Sequence, residues 1–308
     1  MESRNNDITN RLRFASYHLA WKMLSFYTLR IRKARHPVSV PFEFATKLPG
    51  VAVIAVPAFW DNYSYILTSR REAVVIDPSE CKPLAAEIQK RDLRLNSIVM
   101  THEHIDHTAG ALELCRRFKV PLHVPSGAAI PGQTRRVSEG ERIAFGEAAF
   151  TALYVPGHHS FPYPTESLYG NIAWYCEEAG ILFTGDTLFP CGYGFVAAGF
   201  ERPMFESLKR LRSLPEETQL FFGHEYALRT TAAAARLDRD NAALRHRLSE
   251  IRELARNRQP AIPTTLRHEI TVSPWLRWDD ETFKKKLGIA ESDGFVSFMR
   301  IKERWEEL

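Results

Sequence analysis

Four candidate metal ligands, His102, His104, Asp106 and His107, crowd into the hexapeptide His102-Glu103-His104-Ile105-Asp106-His107, and three of the chain's 11 histidines are among them. The hexapeptide directly follows residues 97–100, an apolar run that reads as a buried strand, and a helix is predicted over 109–118. His102 and His104 are two apart, so at an extended strand end they project to the same side. Asp106 and His107 then open the helix and face back towards them. Imidazole combined with carboxylate suits zinc, manganese or iron at a hydrolytic or oxidative centre. A solvated loop with chance histidines is the uninformative alternative, and the scarcity of histidine elsewhere argues against it.

The elements around this loop must deliver further ligands to it. Strands are predicted over 51–56, 64–68 and 73–76 as a meander of sheet edges, with Asp61-Asn62 and Arg70-Arg71-Glu72 as turns. A helix over 83–91, the strand over 96–100, the helix over 109–118 and a strand over 121–124 follow, so the class is α/β. Two more strands within 141–154, a hairpin over 171–183 and a strand over 219–222 complete the pattern. Four times an apolar strand ends in a candidate ligand: before His102, His158, Asp186 and His224. Ends of neighbouring strands lie close together, and glycine beside three of these ligands allows close backbone approach. Alone, His158 reads equally well as a turn residue and Asp186 reads better as a turn aspartate capping a helix; together with the hexapeptide they read as one site.

Composition bounds what that site serves. The 308 residues are 44% hydrophobic and 25% charged, enough for one large domain and a smaller one. The four cysteines are scattered without a CxxC pair, which excludes a disulfide framework or zinc ribbon and fits a reducing compartment. Residues 1–35 hold eight Lys/Arg against two acids, leaving 33 against 35 for the remainder, so nucleic acid is not an expected partner. This basic segment is too interrupted by charge to span a membrane. It reads as a peripheral membrane contact, a mitochondrial targeting sequence or a helix packed on the body. A cytoplasmic or mitochondrial location and a monomer are expected. Residues 230–257, rich in Ala, Leu and Arg, predict one long helix, with shorter ones over 279–287 and 295–307.

In order along the chain, Thr101-His102-Glu103-His104-Ile105-Asp106-His107, Pro156-Gly157-His158, Phe183-Thr184-Gly185-Asp186-Thr187-Leu188-Phe189 and Phe222-Gly223-His224-Glu225-Tyr226 resemble the motifs of the metallo-β-lactamase superfamily. Within it the chain is similar to glyoxalase II, the hydroxyacylglutathione hydrolases, from about Val51 onward. Ser273-Pro274-Trp275-Leu276-Arg277 resembles an element of that family's C-terminal domain. The resemblance implies an αββα sandwich over 51–226 and a helical substrate-cleft domain over 227–308, after a basic segment over 1–50.

It also implies two divalent ions, zinc first and iron or manganese next. His102, His104 and His158 would hold one, Asp106, His107 and His224 the other, and Asp186 would bridge them. A metal-bridging hydroxide would then attack a thioester carbonyl, with Asp106 and Asp186 as the catalytic carboxylates, in the manner of methylglyoxal detoxification. Tyr226 and Arg277 match the family's substrate contacts. Two alternatives stand beside this one: a mononuclear iron persulfide dioxygenase using His102, His158 and Asp186, and a non-catalytic membrane-associated scaffold. The chain also departs from the family. Residues 190–200 carry no Lys or Arg where a basic grip on glutathione is expected, Asp280 replaces a lysine, and Ser160 to Glu166 replace a short turn. Weak or no glutathione preference is the consequence. Cys191 reads as a packed cysteine without an activating base.

Overall fold

The computed structural model describes residues 36–128, 130–158 and 170–308. The basic segment 1–35 and the departure at Ser160 to Glu166 lie outside the described residues. The first sheet contains β1 (Phe42–Ala45), β2 (Val51–Ala58), β3 (Asn62–Ser69), β4 (Glu72–Ile76), β5 (Arg94–Val99), β6 (Leu122–Pro125) and β7 (Arg135–Val137), in that spatial order. The second contains β8 (Arg142–Phe145), β9 (Ala148–Tyr154), β10 (Ile172–Cys176), β11 (Ile181–Gly185), β12 (Gln219–Phe222) and β13 (Thr264–Thr265). β2, β3 and β4 are interior strands, not the edges expected of them. β1 and β7 hold the edges, and both are absent from the sequence reading because runs of four and three residues are too short for periodicity to mark them.

Alternation along these strands sorts side chains between two layers. Val51, Val53 and Ala55 of β2 and Val74 and Ile76 of β4 enter the core between the sheets. Ile54, Val56, Ala73 and Val75 face the opposite way, onto helices. Across the gap, Tyr65 of β3 packs on Phe183 and Phe221 of the second sheet, with centroids 5.1 and 5.6 Å apart. Helix α1 (Cys81–Lys90) buries Cys81, Leu84, Ala85 and Ile88, one face at helical spacing, against the first sheet.

The expected helix over 109–118 is α3 (Ala111–Phe118), and Asp106 and His107 sit on a separate short helix before it, α2 (Ile105–Thr108). Gly110 sits at the break, where a Cβ would fall 2.5 Å from the backbone nitrogen of Cys81. An unforeseen helix, α4 (Glu201–Arg212), buries Met204, Phe205, Leu208 and Leu211. Pro203 lies in its first turn, where a missing N–H costs nothing.

The single long helix expected over 230–257 is two, α5 (Ala227–Leu237) and α6 (Ala242–Arg256). Asp238 leaves the helix because its carboxylate is buried and paired with Arg277 at 2.7 Å and Lys286 at 3.1 Å. Asn241 then restarts it by capping the Leu244 amide. α7 (Leu266–Val272), a 3-10 turn (Pro274–Leu276), α8 (Glu281–Lys286) and α9 (Gly294–Glu306) complete the helical C-terminal region. Among the described residues, no helix is long and apolar enough to cross a membrane.

Candidate metal centre

Strand ends of both sheets and the short helix α2 bring all seven predicted ligands together. His104 Nδ1 lies 3.1 Å from His158 Nε2, and His107 Nε2 lies 3.3 Å from His224 Nε2. Asp186, on the turn after β11, reaches into both groups. Its oxygens are 3.3 Å from His107 Nε2, 3.3 Å from His224 Nε2 and 3.6 Å from His158 Nε2. Asp106 completes the second group, 3.3 Å from His224 Nε2. Ligand atoms of His102, His104, His158 and Asp186 form one set within 4.8 Å of one another, and those of Asp106, His107 and His224 form another. Gly223 makes this crowding possible, since a Cβ there would fall 2.3 Å from Asp186 Oδ1.

Behind these side chains stands a second layer that the sequence reading did not assign. His107 Nδ1 donates to Asp77 at 3.0 Å, His224 Nδ1 to Asp61 at 2.9 Å, and His158 Nδ1 to the Phe195 carbonyl at 2.9 Å. His102 Nδ1 donates to Thr101 Oγ1 at 2.8 Å, and that hydroxyl donates onward to Asp77. In each case the engaged Nδ1 fixes the tautomer and leaves Nε2 aimed at the cluster, as metal-ligating histidines require. His104 alone presents Nδ1. Asn62 donates to Asp106 at 3.0 Å, orienting that carboxylate. Asp77 had a signal in the sequence, because it follows the apolar strand β4 just as His102 follows β5. Asp61 was read only as a turn, and nothing local distinguishes it.

The electrostatics suit a cation. Burial pulls His102 well below its ordinary value and, with His158 beside it, takes His104 down to about 3, so both are neutral donors. Burial also disfavours a charge on His107, but Asp186 and Asp106 outweigh it and hold His107 up at about 10. Two carboxylates buried this deeply demand compensating positive charge. His102 Nε2 is buried without a hydrogen-bond partner. A nitrogen-rich donor set with a central carboxylate therefore fits divalent zinc, iron or manganese.

Around the cluster, Tyr226 stacks on His224 at 4.7 Å with rings 7° apart, and the Arg229 guanidinium lies 4.6 Å over the Tyr226 ring. Arg229 opens onto a cavity of about 520 Å³, lined also by Gly192, Tyr193, Phe195, Trp275 and Trp305. Arg277 lies elsewhere, buried and bound by Asp238 at 2.7 Å and Asp280 at 2.8 Å. Cys191 is buried, and that burial pushes its thiol well above the usual range, which removes it as a nucleophile. A larger surface cavity of about 820 Å³, near Arg70 and Arg94, is lined by none of these ligands.

Comparison with known proteins agrees with this geometry. Residues 58–224 match the family model "Metallo-beta-lactamase superfamily", and residues 225–306 match "Hydroxyacylglutathione hydrolase C-terminus". A hydroxyacylglutathione hydrolase of Nitrosomonas europaea is 36% identical over 74% of this chain and 83% of its own. One of Brucella ovis is 34% identical over 79% and 93%. Among solved structures, the BLEG-1 B3 metallo-beta-lactamase superposes with a TM-score of 0.53 at 17% identity, covering 76% of this chain and 99% of that one, which reflects the shared fold. The chain belongs to the metallo-β-lactamase superfamily and, within it, to the hydroxyacylglutathione hydrolase, or glyoxalase II, family.

Proposed function

We propose that the protein is a binuclear metal-dependent thioester hydrolase. The observation that carries this reading is the place of Asp186 between two groups of ligands, within 3.6 Å of His158 on one side and 3.3 Å of His107 and His224 on the other. His102, His104 and His158 would hold one ion, Asp106, His107 and His224 the other, and Asp186 both. Ions held there supply a water ionised near neutral pH and an electrophile for a carbonyl oxygen.

The chain's own residues do the positioning. Asp77, Asp61 and the Phe195 carbonyl lock three imidazoles, and Asn62 aims Asp106. A thiolate leaves readily from a thioester because thiols are much stronger acids than alcohols. No protein nucleophile is then required. The persulfide dioxygenase alternative leaves Asp106 and His224 without a role, although both sit 3.3 Å or closer to their neighbours in the cluster.

For the thiol half, Tyr226 remains at the site as a wall beside His224. Arg277 is committed to two carboxylates, one of them Asp280, where the family pattern has a lysine. The carrier is therefore placed along Tyr226 and Arg229 into the neighbouring cavity, with weak glutathione preference. Residues Tyr27 to Arg35 and Asp61 to Tyr65 also resemble the paroxysmal nonkinesigenic dyskinesia protein, a glyoxalase II relative. The deciding experiment is elemental analysis of the purified protein together with hydrolysis rates for S-lactoylglutathione and for thioesters of other thiols. Two ions per chain with thioesterase activity is the expected result; one iron with oxygen-dependent persulfide turnover overturns it.

A further inference from the structure

We propose that the helical C-terminal region positions His158 by pinning the backbone of one residue, Cys191. Both backbone polar groups of Cys191 are taken by side chains from that region. Its N–H donates to Glu269 Oε2 of α7 at 2.9 Å, and its carbonyl accepts from Trp275 Nε1 of the 3-10 turn at 3.1 Å. Glu269 is fully buried and Trp275 nearly so, so neither contact competes with water. Cys191 has φ +51°, in the left-handed region that few residues with a Cβ occupy.

The pin is transmitted over four residues. Phe189 and Gly192 exchange backbone hydrogen bonds of 2.9 and 3.1 Å around Cys191 and close a tight loop. The chain then presses onto the cluster at Gly194, where a Cβ would fall 2.0 Å from the Asp186 carbonyl oxygen and 2.7 Å from His158 Nδ1. At the next residue, the Phe195 carbonyl accepts the His158 Nδ1 proton. Glu269 and Trp275 touch no candidate ligand. They are positioning residues, acting through this loop on the ring orientation of His158.

The inference rests on His158 being a metal ligand, and its test separates the two ideas. Full-length Glu269→Ala, Glu269→Gln and Trp275→Phe proteins are titrated with zinc against a competing chelator, with thermal unfolding measured in parallel. A long-range ¹H–¹⁵N spectrum reads the His158 tautomer without reference to metal.

In Glu269→Ala and Trp275→Phe, one of the two zinc ions should bind about 10–100-fold more weakly, the scale for loss of an outer-shell partner, while the other is unchanged. His158 should lose its single Nδ1-protonated tautomer in both variants. Glu269→Gln keeps an acceptor and should keep both properties. If Glu269→Ala fails to fold, Trp275→Phe carries the same expectations. The proposal is overturned if the tautomer is unchanged, if both ions weaken together in step with the melting temperature, or if Gln fails as Ala does. A tautomer that responds in a protein binding no zinc overturns the metal reading and leaves the pin standing.

Discussion

The metal cluster and the cavity beside it share one backbone segment, residues 190–196, yet are built to different standards. On the cluster side, four of the five histidines have their second nitrogen held by a named partner, and two of those partners, Thr101 and Asp77, are themselves buried. On the cavity side, Arg229 is exposed and Phe195 is 63% exposed. Chemistry at a metal depends on ligand positions to a fraction of an ångström, so both layers of a candidate metal site are constrained. Recognition of a carrier, as proposed, spreads over weaker contacts, so an exposed wall residue such as Arg229 is free to change without disturbing the cluster. The difference teaches that a chain can keep a reaction while changing what it accepts.

That contrast can be broken most forcefully at Asp186. Asp186→Ala removes the carboxylate that lies between the two groups, and kcat/KM should fall by about a hundred- to a thousandfold, the scale of losing a preorganised electrostatic stabiliser. Metal content below two ions per chain should accompany the loss. A variant retaining full activity with two ions would dissolve the distinction between the regions.

At the seam between them, Glu269 makes a pH prediction. Burial holds its carboxyl up at about 7 against an ordinary 4.5. The folded chain keeps a proton there that the unfolded chain releases, so the stability tied to it is complete below pH 4.5 and is lost as pH rises through 7. At about 1.4 kcal/mol per pH unit, this is on the order of 3 kcal/mol. Glu269→Gln cannot ionise and should gain by that amount on the wild type between about pH 5 and pH 8. Denaturant unfolding at the two pH values measures it, and parallel curves would contradict the assignment.

A smaller effect is expected one layer behind the ligands. Asp61→Ala leaves His224 Nδ1 without its acceptor and should weaken one metal ion by about 10–100-fold in a chelator competition. An unchanged affinity would mean that Asp61 belongs to the turn alone. Smallest of all is Arg229→Ala, on the cavity side. A single charge-assisted contact contributes roughly 1.5 kcal/mol, so KM for a thioester of an anionic carrier should rise about tenfold at constant kcat. Thioesters of uncharged thiols should not respond, and a fall in kcat would move Arg229 into the chemistry.

The sequence by itself determined the candidate ligands and the order of the strands that end in them, because ligand chemistry and strand periodicity are local properties. His102, His104, Asp106 and His107 announce a site within six residues, and His158, Asp186 and His224 each follow an apolar run. Tertiary structure decided what local signals do not encode. Asp61 and Asp77 become outer-shell acceptors only because β3 and β4 lie beside β12 and β5 at the site. The helix over 230–257 breaks because Asp238 meets Arg277, 39 residues away, across the fold. Arg277 matches the family's substrate contact in sequence, yet its guanidinium is shared between Asp238 and Asp280. A buried cation is claimed by whichever carboxylates the packing brings within reach.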